Sequence, residues 1–246
     1  MKAGVPGRSW LGSLPHTWLS VLLPLIVSLI LSSATLSSFA QATGAQAAGS
    51  SQPNLSTHEL AQRVDSYYNA LHSLRTTFTE SYEGMGISRK ETGTMLLRKP
   101  GKMRWDYAEP QGKLFLLEGK YAWFYSPGDA QVQRLAASQL DDLRSPLRFM
   151  LGHTQLEREL GNLALASTPA GFELSGIPKG MEKRVQNVVL GVAPNGVIQS
   201  IAITETDGAR TAFTFADQQP NAPVSASDFV FDPPAGIPIV EGLPPV

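Results

Sequence analysis

The chain contains no cysteine. That excludes a disulfide, so any exported domain here must be held by its core alone, and it excludes a lipid carried on an N-terminal cysteine. Blocks of one charge are missing as well. Lys and Arg total 20 against 21 Asp and Glu, and no basic stripe favours nucleic acid or tight attachment to anionic membrane. Histidine is scarce at four residues. The apolar run Trp18–Leu31 is shorter than the ~20 residues that span a bilayer, and Pro24 interrupts it.

That run has a different explanation. Lys2 and Arg8 precede it, and small residues follow as far as Ser38-Phe39-Ala40. A positive start, a short apolar centre and an A-x-A-like site predict a cleavable secretory signal peptide over 1–40, with a membrane anchor as the competing reading. Cleavage after Ala42 fits equally. Losing Lys2 and Arg8 takes the formal charge from −1 to −3. Residues 41–55, rich in Ala, Gly, Ser and Gln, read as a flexible leader. Residues 56–246 form one domain's worth of chain, enough to bury a core.

Ser56 and Thr57 are good N-caps, and Leu60, Val64, Tyr67, Leu71 and Leu74 recur at helical spacing. This predicts an amphipathic helix over Thr57–His72, handing over to a strand near Leu74. Turn signals then follow at short intervals: Gly84-Met85-Gly86, Lys99-Pro100-Gly101, Glu109-Pro110, Glu118-Gly119 and Pro127-Gly128. Short apolar runs between such signals indicate an antiparallel meander. A second helical stretch is expected over Ser138–Leu151, broken at Pro146. Strands resume at Asn162–Ser167, Gly171–Gly176, Arg184–Val192, Val197–Thr206 and Thr211–Phe215.

The most informative stretch runs from Gly93 to Pro127. Its strands are apolar at consecutive rather than alternate positions: Met95-Leu96-Leu97, Leu114 to Leu117, Tyr121 to Tyr125. Successive strand residues point to opposite faces, so Trp123 and Tyr125 share one face and Phe124 takes the other. Such a sheet must be covered twice, by a core and by a helix, a partner or a ligand. A long sheet of this kind curls, and two amphipathic helices suffice to plug its concave side. The fold class expected is α+β, mainly β.

Catalytic patterns are weak. His58-Glu59-Leu60-Ala61-Gln62 lacks the second histidine of a zinc-protease motif, so Glu59 reads as a helix N-terminal acid. Asp141 and Asp142 are adjacent on the predicted helix and point about 100° apart, as a solvated face rather than an acid–base pair. No G-x-S-x-G, P-loop or EF-hand loop occurs. An enzyme is not expected, nor a cofactor or a metal site.

Gly93-x-Met95-x-Leu97-x-Lys99-Pro100-Gly101-x-Met103-x-Trp105, then Glu109-Pro110, then Gly119-Lys120-x-x-Trp123-x-Tyr125-x-Pro127, resembles the LolA family, periplasmic carriers that ferry lipoproteins to the outer membrane of Gram-negative bacteria. Phe229-x-Phe231-x-Pro233-Pro234-x-Gly236 resembles that family's C-terminal signature. The resemblance implies an unclosed, half β-barrel whose concave apolar face is lidded by helices and receives acyl chains. It implies a cavity formed by Met95, Leu97, Met103, Trp105, Trp123 and Tyr125, with Leu147, Phe149 and Met150 in the Pro146–Leu151 segment. The family's lid-locking arginine stands just before the turn proline. Here that position is Lys99, with Arg98 one place earlier on the other face, and a point donor in place of a planar fork implies a lid held more loosely. The implied partners are acylated lipoproteins, an inner-membrane lipoprotein-releasing ABC transporter and an outer-membrane receptor, with the carrier itself a monomer. A binder of another amphiphile, such as a glycolipid, is the alternative on the same scaffold.

Overall fold

The computed structural model describes residues 55–138 and 154–242. Helix α1 spans Thr57–Ala70. It opens on a capping box: the Ser56 hydroxyl accepts from the Glu59 amide, and the Glu59 carboxylate accepts from the Ser56 amide at 2.9 Å. These bonds hold the Glu59 carboxyl below its usual range. The helix stops two residues short of the expected His72, because Leu71 turns extended and the His72 amide donates to Asn221 Oδ1 at 2.9 Å. That partner lies at the far end of the chain.

Eleven of the twelve strands of one sheet follow, in two runs. The first comprises β1 (Ser73–Gly84), β2 (Ile87–Arg98), β3 (Lys102–Glu109), β4 (Leu114–Leu117), β5 (Tyr121–Tyr125) and β6 (Val132–Ala136). A one-turn helix, Leu156–Glu159, precedes the second: β7 (Leu160–Thr168), β8 (Gly171–Pro178), β9 (Val185–Val192), β10 (Ile198–Glu205) and β11 (Arg210–Pro220). A 3-10 turn at Ser227–Phe229 leads to a short β12, Ile239–Glu241. The spatial order is β12-β6-β5-β4-β3-β2-β1-β11-β10-β9-β8-β7. Each run is a meander, and the two join where β1 pairs antiparallel with β11. The chain's last strand alone runs parallel, β12 against β6. The expected mainly β, unclosed sheet is therefore what the chain adopts, and the first of the two expected helices lies against its concave face. The expected signal peptide, the expected leader up to residue 54 and the expected helix beyond Ser138 lie outside the described residues.

Both faces are covered. On the concave side Leu60, Ala61, Val64 and Tyr68 of α1 are fully buried, packed with Leu74, Met95, Leu97, Met103 and Trp105 of the first meander and Val188, Leu190 and Ile201 of the second. On the convex side Leu96, Leu114, Leu116, Trp123 and Val132 form a separate cluster. The C-terminal tail covers it with Phe229, Phe231, Val224 and Ile237. Arg104 ties that tail down by donating to the carbonyls of Asp228 and Val230, at 3.2 and 2.9 Å, while its other nitrogens hold Asp106. Consecutive apolar residues in β2, β4 and β5 thus meet two different covers, a helix and a strap.

Gly93 shows how tightly the centre is drawn together. A Cβ there would lie 2.2 Å from the Asp106 carbonyl and 2.8 Å from the Phe78 ring. The register of β2 against β3 shifts between Thr92 and Gly93, so the bulge and the close approach coincide.

Candidate functional site

The concave floor is built by register. In β2, β3 and β4, Met95 lies opposite Trp105 and Trp105 opposite Phe115, while Leu97 lies opposite Met103 and Met103 opposite Leu117. Directly opposed residues share a face, so Met95, Leu97, Met103 and Trp105 lie on one face, each at most 2% exposed. Trp105 sits edge-on to Phe78, Phe213 and Phe215, at ring distances of 4.5, 5.3 and 6.3 Å. Its buried indole N–H has no hydrogen-bond partner among the described residues. A donor left unpaired in a dry apolar floor is costly unless something supplies an acceptor.

Two expected cavity residues lie elsewhere. Trp123 and Tyr125 face the convex side, each 5.9 Å ring to ring from Phe231 of the tail. In β2 through β4 paired residues have the same numerical parity, but in the β4–β5 hairpin Leu117 pairs with Ala122 and Phe115 with Phe124. The odd-numbered face is therefore concave before that turn and convex after it. Phe124 and Ala122, not Trp123 and Tyr125, continue the floor. Leu147, Phe149 and Met150 lie outside the described residues.

Lys99 is placed where it can hold the helix. Its Nζ donates to the Tyr68 carbonyl in the last turn of α1, at 2.6 Å, and its amide donates to the His72 carbonyl. Burial pushes the pKa of this ammonium down. Alternation from Leu97 puts Lys99 on the concave side and Arg98 on the other. Tyr68 is itself anchored, its hydroxyl accepting from the Ile198 amide at 3.3 Å, and burial pushes its pKa up. A second tie joins α1 to the one-turn helix at Leu156–Glu159, where Asp65 accepts from the Leu156 amide and His58 meets the Glu157 carboxylate at 3.0 Å.

Beyond the aromatic floor the concave face turns polar, a feature that sequence reasoning missed. Glu80 and Glu91 lie directly opposite on β1 and β2. The Tyr107 hydroxyl donates to Glu80 at 2.8 Å, Lys113 and Arg89 pair with Glu91, and the Lys113 ammonium stands 4.2 Å over the Tyr107 ring. Burial raises the Glu80 pKa, and burial together with the Glu80 charge raises that of Tyr107. The available signal was period two: Phe78, Glu80 and Tyr82 follow Leu74 and Thr76 on one face.

Open grooves lie apart from this floor. One of about 510 Å³ runs along the polar side of α1, past Glu59, Gln62, Arg63 and Asn195, and a second of about 380 Å³ crosses a threonine-rich part of the convex face at Thr77, Thr92, Thr94 and Thr214. Among the described residues no group of three or more His, Asp or Glu could hold a metal. The chemistry on offer is an apolar concave surface, an unpaired donor within it, and a helix latched over it.

Residues 71–232 match the family described as outer membrane lipoprotein carrier protein LolA. The outer-membrane lipoprotein carrier protein of Proteus mirabilis is 31% identical over 73% of this chain and 85% of its own length. That of Erwinia tasmaniensis is 30% identical over 73% and 84%. The crystal structure of a LolA superfamily protein, NE2245 from Nitrosomonas europaea, superposes at a TM-score of 0.40 with 13% identity, covering 72% of this chain and 98% of that one. With the match running over well more than half its length and two relatives of this identity, the chain belongs to the LolA family.

Proposed function

We propose that this protein is a periplasmic carrier that takes the acyl chains of lipoproteins against its concave face and moves them from the inner to the outer membrane. The observation that carries the reading is an apolar floor of Met95, Leu97, Met103, Trp105, Phe115 and Phe124 roofed by α1, with Lys99 as the latch at the helix end. Family membership and the names of its relatives support the cargo. The floor is packed by the protein's own side chains, so loading requires α1 or another part of the roof to lift. The unpaired indole N–H of Trp105 then meets an ester or amide carbonyl of the cargo.

Energetics favour a partial grip. Each buried CH₂ contributes about 0.8 kcal/mol, so one fully buried acyl chain is worth ~12 kcal/mol. Three such chains would pass the roughly 18–21 kcal/mol ceiling of non-covalent binding, and release would be too slow. Partial burial, with part of the binding energy spent on opening the roof, permits hand-off without a nucleotide on this chain. The implied donor is an inner-membrane lipoprotein-releasing ABC transporter and the acceptor an outer-membrane receptor, with the carrier acting as a monomer.

Native mass spectrometry of the protein recovered from the periplasm without detergent, before and after incubation with a triacylated lipoprotein, tests this. A complex carrying intact acyl chains supports the reading. A bound glycolipid that the lipoprotein cannot displace would replace it with the second amphiphile reading, and an empty protein after incubation would refute both.

A further inference from the structure

The longest hairpin ends in an apolar point. β1 and β2 are joined by Met85-Gly86, both at positive φ (49° and 76°), a two-residue turn in which asparagine, aspartate or glycine is the usual first residue. Here a methionine occupies that strained place and is 79% exposed, and Ile87 beside it is 56% exposed. Single exposed apolar residues need no explanation, but these two flank Gly86 at the apex. On its β3 side the apex also stands clear of the sheet. β2 pairs with β3 only from Thr92 onward, so Ile87–Glu91 overhang β3 by about 16 Å at ~3.3 Å per residue. On the other side the pairing with β11 ends at Glu83 and Arg210.

The exposed charges in the collar behind the apex carry a basic excess of one. Arg89, Lys90 and Arg210 are exposed there, against an exposed Glu83 and Asp207 in the neighbouring turn. Glu91 is buried beneath Lys113 and Arg89. An apolar tip with a basic collar matches the acyl boundary and anionic headgroups of a bilayer. We propose that the Met85–Ile87 tip is a membrane-touching point that inserts transiently into an anionic bilayer surface. With two apolar side chains and no net basic excess on the whole chain, the contact is weak and reversible. It holds whether or not the concave face carries acyl chains.

The absence of cysteine makes a site-specific test direct. Met85→Cys in the full chain is labelled with a polarity-sensitive fluorophore, and Ala170→Cys, in the β7–β8 turn at the opposite end of the sheet, serves as the reference. The expected result is a blue shift at Met85→Cys on adding phosphatidylethanolamine–phosphatidylglycerol vesicles, with none at Ala170→Cys. Lys90→Gln with Arg210→Gln should raise the vesicle concentration for half-maximal shift about tenfold or more, and Ile87→Ser should raise it likewise. All of these lie on exposed positions, and an unchanged melting temperature checks the fold. No shift, or an equal shift at both labels, overturns the proposal. An equal response to phosphatidylcholine vesicles overturns the role of the collar. A shift produced by periplasmic protein and not by vesicles assigns the tip to a protein partner instead.

Discussion

Lys99→Met tests the latch, because methionine keeps much of the lysine's apolar stem while deleting its ammonium, the donor to Tyr68 among other contacts. A hydrogen bond from a charged donor contributes about 1.5–3 kcal/mol. Burial of the ammonium, which lowers its pKa, offsets part of that, so the lower end applies. About 1.4 kcal/mol is tenfold in an equilibrium, so the roof should open about tenfold more often in the variant. Uptake of an apolar fluorescent dye should therefore reach half-saturation at about one-tenth of the wild-type dye concentration. The pH dependence carries a sign. A lysine whose pKa is depressed in the closed state favours closure above its ordinary pKa and loses that contribution as pH falls through the lowered one. At neutral pH the cost of desolvating the charge is fully present, and closure should tighten as pH rises into the lysine range. Lys99→Met should show no such dependence. Lys99→Arg should stay closed and lose it too, since arginine does not deprotonate. Dye uptake by Lys99→Met within about twofold of wild type would refute the latch.

The two tryptophans should separate. Trp105→Ala removes the centre of the concave floor and should cost ~3–5 kcal/mol of stability, seen in urea unfolding, together with acyl loading. Trp123→Ala should also destabilise, through the tail, yet retain loading at temperatures where it stays folded, and loss of loading there would return Trp123 to the cavity. Glu80 has its pKa raised by burial, so its contribution is complete below the ordinary carboxylate pKa and lost as pH rises through the higher folded value. Glu80→Gln should raise the neutral-pH melting temperature by about 2–4 °C for each 1 kcal/mol relieved, and abolish the gain that wild type shows on mild acidification. Gly93→Ala should cost ~2 kcal/mol or more, because its Cβ meets backbone rather than a movable side chain, and a melting temperature equal to wild type would contradict the close approach.

Strand positions were legible because turn chemistry punctuates the chain: every expected turn from Gly84-Met85-Gly86 to Pro127-Gly128 falls between or just after observed strands. The need for two covers was legible in the consecutive apolar residues of β2, β4 and β5. Which residue meets which cover was not, because face parity depends on loop register, and one hairpin inverted it for Trp123 and Tyr125. Long-range partners were equally hidden. Asn221 ending α1 and β12 adding parallel to β6 arise from contacts between distant segments. Lys99 is implied by the family resemblance, through its place before the turn proline, but its acceptor, a main-chain carbonyl of α1, carries no side-chain signature.

The seam between the two meanders bears on how the chain reaches its native state. β1 sits between β2 and β11, and the Thr76 hydroxyl donates across the seam to Ala216, 140 residues away. Contacts this distant must close a long loop before they return any stability, which slows folding. Until β11 arrives, β1 presents an unpaired edge in the middle of the future sheet. A chain that becomes available from its N-terminus therefore cannot complete this sheet, and stays loose until nearly all of it is present.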